Sequence, residues 1–244
     1  MTNSFLINII LPVYNEELVL EKNITILKEF LANNLSSYNW QIIIADNNSQ
    51  DQTAQIGQEL AKQERIKYFF ISQKGRGEAL RRAFLDNLGD YYVYMDMDLA
   101  TELSALPDLI KYLAEGKYDL VTGSRFLPQS KIARSLLREV VSRGYIFMAR
   151  IILSTNLSDL QCGFKGINQA IIKNIVPQTK DREWFFDTEL LVLAERKGYK
   201  IKEIPITWME TRNINRKSKV DLIKSIYQFI NNLINFKKNG SKRI

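Results

Sequence analysis

Short apolar runs that alternate with stretches of helical periodicity constrain this chain more than any other feature. The runs fall at Ile7–Leu11, Gln41–Ala45, Tyr68–Ile71, Tyr91–Met95 and Leu120–Thr122, each flanked by turn-forming or charged residues. Between the first two, Leu20, Ile24, Leu27 and Leu31 recur at helical spacing, with Glu21, Lys22, Lys28 and Glu29 on the other side. Asp51–Leu60 and Glu78–Leu88 read as further helices. Strands spaced by helices predict βαβ units and an α/β fold with a largely parallel sheet covered on both faces. In such sheets ligands bind at the carboxyl ends of the strands, where this sequence places its most unusual polar residues. A chain of 244 residues, 45% apolar and 25% charged, suffices for one large domain of this kind with a short appendage.

What the chain lacks narrows its chemistry. It has no histidine, which removes Ser-His-Asp and Cys-His machinery and His-ligated metals. Its single cysteine, Cys162, can form neither an intrachain disulfide nor a multi-cysteine zinc site, and predicts a reducing, cytoplasmic setting. Catalysis must therefore rest on carboxylates, Lys/Arg, hydroxyls or an oxygen-ligated metal.

The formal charge of +7 is concentrated at one end. Residues 212–244 hold nine Lys/Arg and one acid, Asp221, leaving 25 basic and 26 acidic residues before them. A basic end on a neutral globule suits an anionic surface. No apolar window approaches the roughly 18 residues of a spanning helix, so the expectation is a soluble or peripheral protein with no signal peptide. Two segments have helical amphipathicity. Ser135–Leu153 carries Leu136, Leu137, Val140, Val141, Met148, Ile151 and Ile152, with Arg138 and Ser142 one turn apart on its polar side. Asp221–Phe236 lines up Leu222, Ile223, Ile226, Tyr227, Ile230, Leu233 and Ile234. Each stripe suits either a membrane interface or the domain core. The domain reading is 1–211 for the globule, with 134–153 a candidate interfacial helix, and 212–244 for a basic loop and C-terminal amphipathic helix.

Asp96-Met97-Asp98 follows the run Tyr91–Met95, placing two carboxylates at a strand end. Two such acids suit Mg²⁺, which takes one or two carboxylates together with substrate phosphates and water; a plain turn with two solvated acids is the alternative. Asp46 ends Gln41–Ala45 and precedes Asn47-Asn48-Ser49-Gln50-Asp51, where Ser49 or Asp51 suits a helix cap. Leu11-Pro12-Val13-Tyr14-Asn15-Glu16-Glu17 closes the first strand, and Lys74-Gly75-Arg76-Gly77 is a basic turn suited to approaching phosphate.

In order along the chain, LPVYNEE (11–17), ADNNSQD (45–51), KGRGEAL (74–80), DMD (96–98) and GSRF (123–126) resemble the family 2 glycosyltransferases. SRG (142–144), DLQCGFKG (159–166), WFFDTELL (184–191), EIPITW (203–208) and RKSKV (216–220) extend the likeness to the polyprenyl-phosphate sugar transferases. DxQCGFK with WxFDxELL is most similar to the dolichyl-phosphate β-glucosyltransferase group, which is related to the mannose synthases. The resemblance implies a GT-A-like, Rossmann-like sheet with interfacial C-terminal helices, acting on a nucleotide sugar and a polyprenyl phosphate. It implies that Pro12, Tyr14, Glu16 and Asp46 hold base and ribose, with Lys74 also on the donor. Asp96 and Asp98 would bind Mg²⁺ or Mn²⁺ on the donor diphosphate. Arg125, Arg138 and Ser142 would receive the acceptor phosphate, and a loop with Arg212, Arg216 and Lys219 would close over the donor. Two departures stand out. Ala100 occupies the place of a metal-shell Gln in the mannosyl branch, so water must substitute there, and TRNINRKSKV is longer than the usual spacing, leaving Arg212 and Arg216 as alternatives.

A lipid phosphate is already anionic and can attack a sugar carbon without a strong base. A hydroxyl acceptor on a polysaccharide would need one, and Asp187 or Glu189 could supply it. A non-catalytic membrane or nucleic-acid module is a third reading. The basic tail lacks evenly interleaved stacking aromatics, and an RNA role leaves the strand-end acids unexplained. The expected partners are thus a donor, a lipid acceptor and an anionic membrane surface at its cytoplasmic face, without nucleic acid; a separate membrane-embedded partner is open. UDP-glucose is favoured as donor over GDP-mannose through the resemblance alone.

Overall fold

A computed structural model describes residues 5–133, 136–209 and 222–240; for 136–138, 222–227 and 239–240 it describes backbone only. In chain order the elements are β1 (Leu6–Val13), α1 (Leu20–Asn34), β2 (Asn39–Asp46), α2 (Thr53–Leu60), β3 (Ile66–Phe70), α3 (Arg76–Asp86), β4 (Tyr91–Met95), α4 (Leu106–Ala114) and β5 (Leu120–Ser124). Then follow β6 (Lys131–Ala133), α5 (Leu136–Leu153), β7 (Phe164–Asn168), α6 (Gln169–Asn174), α7 (Phe186–Arg196), β8 (Ile201–Pro205), β9 (Thr207–Met209) and α8 (Leu222–Gly240). The expected strands and helices are all present, with ends shifted by a few residues. β7, β8 and the short β6–β9 pair were not anticipated.

Seven strands form one sheet in the order β3-β2-β1-β4-β7-β5-β8. All neighbours are parallel except β7, which runs antiparallel to β4 and β5. Side-chain alternation divides β1 and β2 between two cores. Ile9, Leu11, Ile42 and Ile44 pack with Leu20, Ile24, Leu27 and Leu31 of α1, while Ile10, Ile43 and Ala45 pack with Leu80 and Phe84 of α3. Burial on both faces explains why these strands read as continuous apolar runs. Parallel register aligns the strand ends: Val13 lies opposite Asp46, and Asp46 opposite Phe70. Because β7 is reversed, its first residue, Phe164, sits beside Met95 at the end of β4. The antiparallel strand thus delivers residues 159–163 to the edge where β1, β2 and β4 terminate.

α8 packs on the core. Leu233 is fully buried, Phe229 contacts Tyr145 at a ring separation of 5.2 Å, and Phe236 contacts Phe185 at 6.0 Å. α5 is divided differently, since part of its expected stripe stays outside the core. Its buried side is Tyr145, Ile146, Ala149 and Leu153, whereas Val140 and Ile151 are exposed. No helix among the described residues is long and apolar enough to cross a membrane.

Candidate active site

The loops after β1 and β2 are laced together by their own polar side chains. Asn15 has φ 53°, a left-handed conformation that Asn tolerates better than most residues. Its N–H donates to Ser49 Oγ at 3.0 Å, and its Oδ1 accepts Gln50 N–H at 2.7 Å. Glu16 N–H donates to Thr53 Oγ1, and Glu17 Oε2 accepts Gln52 N–H. Asp51 Oδ1 accepts the N–H of Thr53, the first residue of α2, while Ser49 serves Asn15 instead of the helix. Of the two cap candidates, only Asp51 acts on α2. LPVYNEE and ADNNSQD are therefore one rigid edge.

Asp46 is fully buried; its Oδ2 accepts the Tyr68 hydroxyl at 2.6 Å and its Oδ1 the Ser49 N–H at 3.0 Å. Burial and the Asp46 carboxylate keep the Tyr68 proton in place far above neutral pH. Asn47 reaches across to the next turn, accepting Gly75 N–H at 2.7 Å and donating to Gln73 O at 2.8 Å. That draws Lys74 Nζ to 5.5 Å from the Tyr14 ring centroid. Tyr14, Asp46 and Lys74 thus share one end of the sheet with Pro12, which pairs with Ala45. The glycine in this turn has a packing role. Gly75 has φ 132°, and a Cβ there would collide with Arg182 O. Its freedom lets α3 dock on the segment before α7.

β4 ends at Met95, so Asp96-Met97-Asp98 is a turn and not a strand continuation. Met97 is buried in the core while Asp96 and Asp98 are both partly exposed. Asp96 N–H donates to Gly163 O at 3.2 Å, and a Cβ on Gly163 would collide with the Asp96 carboxylate. Asp98 Oδ1 accepts Ala100 N–H at 3.1 Å. Among the described residues no third Asp, Glu or Cys joins this pair to make a protein-only metal cage. Two partly exposed hard-oxygen ligands, one of them accommodated over a glycine, fit a Mg²⁺ or Mn²⁺ that keeps water and takes substrate phosphate.

Behind the turn lies a buried charge cluster that sequence reasoning missed. Arg76 donates from Nη2 to Asp96 Oδ1 at 2.9 Å and from Nη1 to Asp187 Oδ2 at 2.6 Å. Asp187 Oδ1 also accepts from Lys165 Nζ at 2.5 Å and from the Tyr94 hydroxyl. Burial would lift the Asp187 carboxyl, but Lys165 and Arg76 beside it hold it below the ordinary carboxylate range. Glu189 accepts the N–H groups of Lys180 and Asp181 at 2.6 and 2.8 Å, and burial pushes its carboxyl up. Both acids considered as bases thus have structural partners.

On the other side of β7, Arg125 forks onto Asp159, with Nε to Oδ2 at 2.7 Å and Nη2 to Oδ1 at 2.9 Å. These bonds leave Nη1 out of the pair. Asp159 is buried, yet Arg125 holds its carboxyl low. Glu203 of β8 clamps the same loop, accepting Ser158 Oγ at 2.6 Å and Asp159 N–H at 3.1 Å. D-L-Q and E-I-P, far apart in the sequence, are thus joined through the Glu203 carboxylate. Ser142 lies on α5, half-buried. The Arg138 side chain, Arg212, Arg216 and Lys219 lie outside the described residues.

Comparison with known proteins agrees with this geometry. The model of glycosyl transferase family 2 matches residues 8–176. Glycosyltransferase AglD of Haloferax volcanii is 36% identical over 222 residues, 90% of this chain but only 35% of AglD, so the chain spans about a third of that relative. Dolichyl-phosphate beta-glucosyltransferase of Saccharomyces cerevisiae is 32% identical over 242 residues, covering 89% of this chain and 71% of the relative. Glucosyl-3-phosphoglycerate synthase from Mycobacterium tuberculosis, solved with uridine diphosphate, superimposes with a TM-score of 0.71 over 96% of this chain and 81% of that one, at 19% identity. That likeness shows the GT-A-like fold. The family match takes in the edge built by β1 and β2, the K-G-R-G turn and the D-M-D turn, and the chain belongs to glycosyl transferase family 2.

Proposed function

We propose that the chain transfers glucose from UDP-glucose to a polyprenyl phosphate with inversion at the anomeric carbon. The observation that carries this is the state of Asp187: its two oxygens meet Arg76, Lys165 and Tyr94, and it is held ionised in a buried cluster. An acid so engaged is poorly placed to take a proton from a hydroxyl acceptor, whereas a phosphate acceptor has no proton to give up. The choice of glucose and of a lipid acceptor is supported by the likeness to the yeast dolichyl-phosphate beta-glucosyltransferase.

In this reading Tyr14, Glu16, Asp46 and Pro12 bind base and ribose, Lys74 faces the diphosphate, and Asp96 and Asp98 hold the divalent cation. When bound, Mg²⁺ or Mn²⁺ supplies neutralising charge for the departing diphosphate. An acceptor phosphate oxygen bonds to C1 as the C1–oxygen bond to the nucleoside diphosphate breaks, giving a β-linked lipid-phosphate sugar from an α-linked donor. The chain contributes alignment and charge. Arg138, Ser142 and the free edge of Arg125 orient the acceptor phosphate, and the segment with Arg212, Arg216 and Lys219 closes over the donor. The exposed apolar face of α5, with Arg143 and Arg150 beside it, brings the site to the cytoplasmic surface of an anionic membrane.

The test is a panel of nucleotide sugars with a short polyprenyl phosphate, followed by extraction into organic solvent. Labelled glucose from UDP-glucose should enter the organic phase, and Asp98→Ala should abolish it. Arg138→Ala should weaken acceptor use by about 1.5–3 kcal/mol with little change in donor binding. Label retained in a water-soluble polymer would overturn the lipid acceptor, and full activity in excess chelator would overturn the metal.

A further inference from the structure

We propose that Arg76 is the positioning residue of the D-M-D turn, fixing Asp96 in the orientation that takes a divalent cation, with Asp187 fixing Arg76 in turn; this rests on reading Asp96 and Asp98 as the cation's ligands. The two carboxylates of the turn are held by different means. Asp98 accepts a backbone N–H from Ala100, a bond local to its own loop. Asp96 Oδ1 is held from a distance, by Arg76 at the start of α3.

The guanidinium is well placed for this work. It is planar, its two terminal nitrogens bond acids on two different elements, and its side chain is only 10% exposed. Tyr94 and Trp184 flank it, with ring centroids 5.8 and 5.1 Å from Cζ. Asp187 cannot follow a moving Arg76, because Lys165 Nζ and the Tyr94 hydroxyl grip its other oxygen. Lys165 itself donates to Cys162 O, at the approach to β7. A rotation of Asp96 would therefore break a charged bond to a buried guanidinium. Partners that orient a ligating carboxylate typically contribute 10–100-fold to metal affinity. K-G-R-G, D-M-D, the Lys of DLQCGFKG and the Asp of WFFDTELL thus form one mechanical unit, although they lie far apart in the sequence.

Positioning and simple charge make opposite predictions. Arg76 is a cation close to a cation site, so if it acts only through its charge, its removal should tighten metal binding. The experiment titrates the full-length chain with Mn²⁺ alone, reading the free ion by electron paramagnetic resonance, with melting curves run in parallel. Arg76→Gln and Arg76→Lys should both weaken Mn²⁺ binding at least tenfold, because the lysine restores the charge without the fork. Lysine serves as the second variant should glutamine melt early. Unchanged or tighter binding in folded Arg76→Lys or Arg76→Gln overturns the proposal. Asp98→Ala is the control: if it binds Mn²⁺ as the wild type does, the cation reading itself fails, and the role of Arg76 fails with it.

Discussion

The helices α5 and α8 look alike in sequence, each with an apolar stripe and basic neighbours, but they are placed in different environments. α8 sets Phe229, Leu233 and Phe236 against the core, and Asn232 reaches Asp181 at 3.4 Å. α5 also buries a face, through Tyr145, Ile146, Ala149 and Leu153, but leaves a second apolar face in solvent: Val140, Phe147 and Ile151 are 68%, 65% and 62% exposed. Val140, Phe147 and Ile151 are seven and four residues apart, one stripe along a helix. An amphipathic pattern alone reports that one face is apolar. The width of the apolar arc decides whether any remains once the core is covered.

Removing α8 should have the largest effect. A chain truncated after Lys219 should lose its cooperative thermal transition, since the face built on Phe185, Tyr145 and their neighbours would be stripped of Phe229, Leu233 and Phe236. A truncated chain that melts like the whole one would show that α8 is a removable anchor after all. Leu233→Ala comes next, with a loss of about 2–5 kcal/mol, the cost of a buried leucine truncated to a cavity. Denaturant unfolding measures it; a loss under about 1 kcal/mol would place Leu233 at a loose contact.

The same contrast shows what the sequence could and could not disclose. The strand-end residues were legible because each sits where an apolar run meets turn chemistry: Asp46 after Gln41–Ala45, Asp96 and Asp98 after Tyr91–Met95. β7 was not, because Phe164–Asn168 carries a fully buried lysine and a glycine, which break the apolar signal of a central strand. With β7 hidden, the cluster of Arg76, Lys165 and Asp187 was out of reach, since only the reversed strand brings those three elements together. Arg125 was seen as a cation for substrate, but its fork onto Asp159 depends on the loop that the same strand delivers. For α5 the periodicity was legible but the inward face was not: Tyr145, outside the expected stripe, turns inward, and its hydroxyl meets Thr188 Oγ1 at 2.9 Å within the core.

On the exposed side of α5, Phe147→Ser with Ile151→Ser should leave stability within about 0.5 kcal/mol per site. Binding to anionic vesicles should fall at least tenfold, since each large apolar side chain gains about 1.5–3 kcal/mol on full burial. Co-sedimentation measures it, and unchanged binding would move the docking surface elsewhere on the molecule.

The smallest effect concerns charge on this face. Arg143 is paired with Glu139 one turn earlier, Nε to Oε1 at 2.6 Å, so its attraction for an anionic surface is largely offset. Arg150 donates to neutral carbonyls among the described residues, those of Leu157 at 2.9 Å and Asn156 at 3.2 Å, and its charge is not offset by them. Glu139→Gln removes the opposing acid while keeping the helix and Arg143. A basic side chain near an anionic surface contributes about 1 kcal/mol, so unmasking one should tighten vesicle binding about fivefold at low salt. The gain should vanish on neutral vesicles and shrink as the Debye length shortens in salt. A gain that persists in high salt would mean that Glu139→Gln acts through apolar contact, and that charge does not distinguish this face from that of α8.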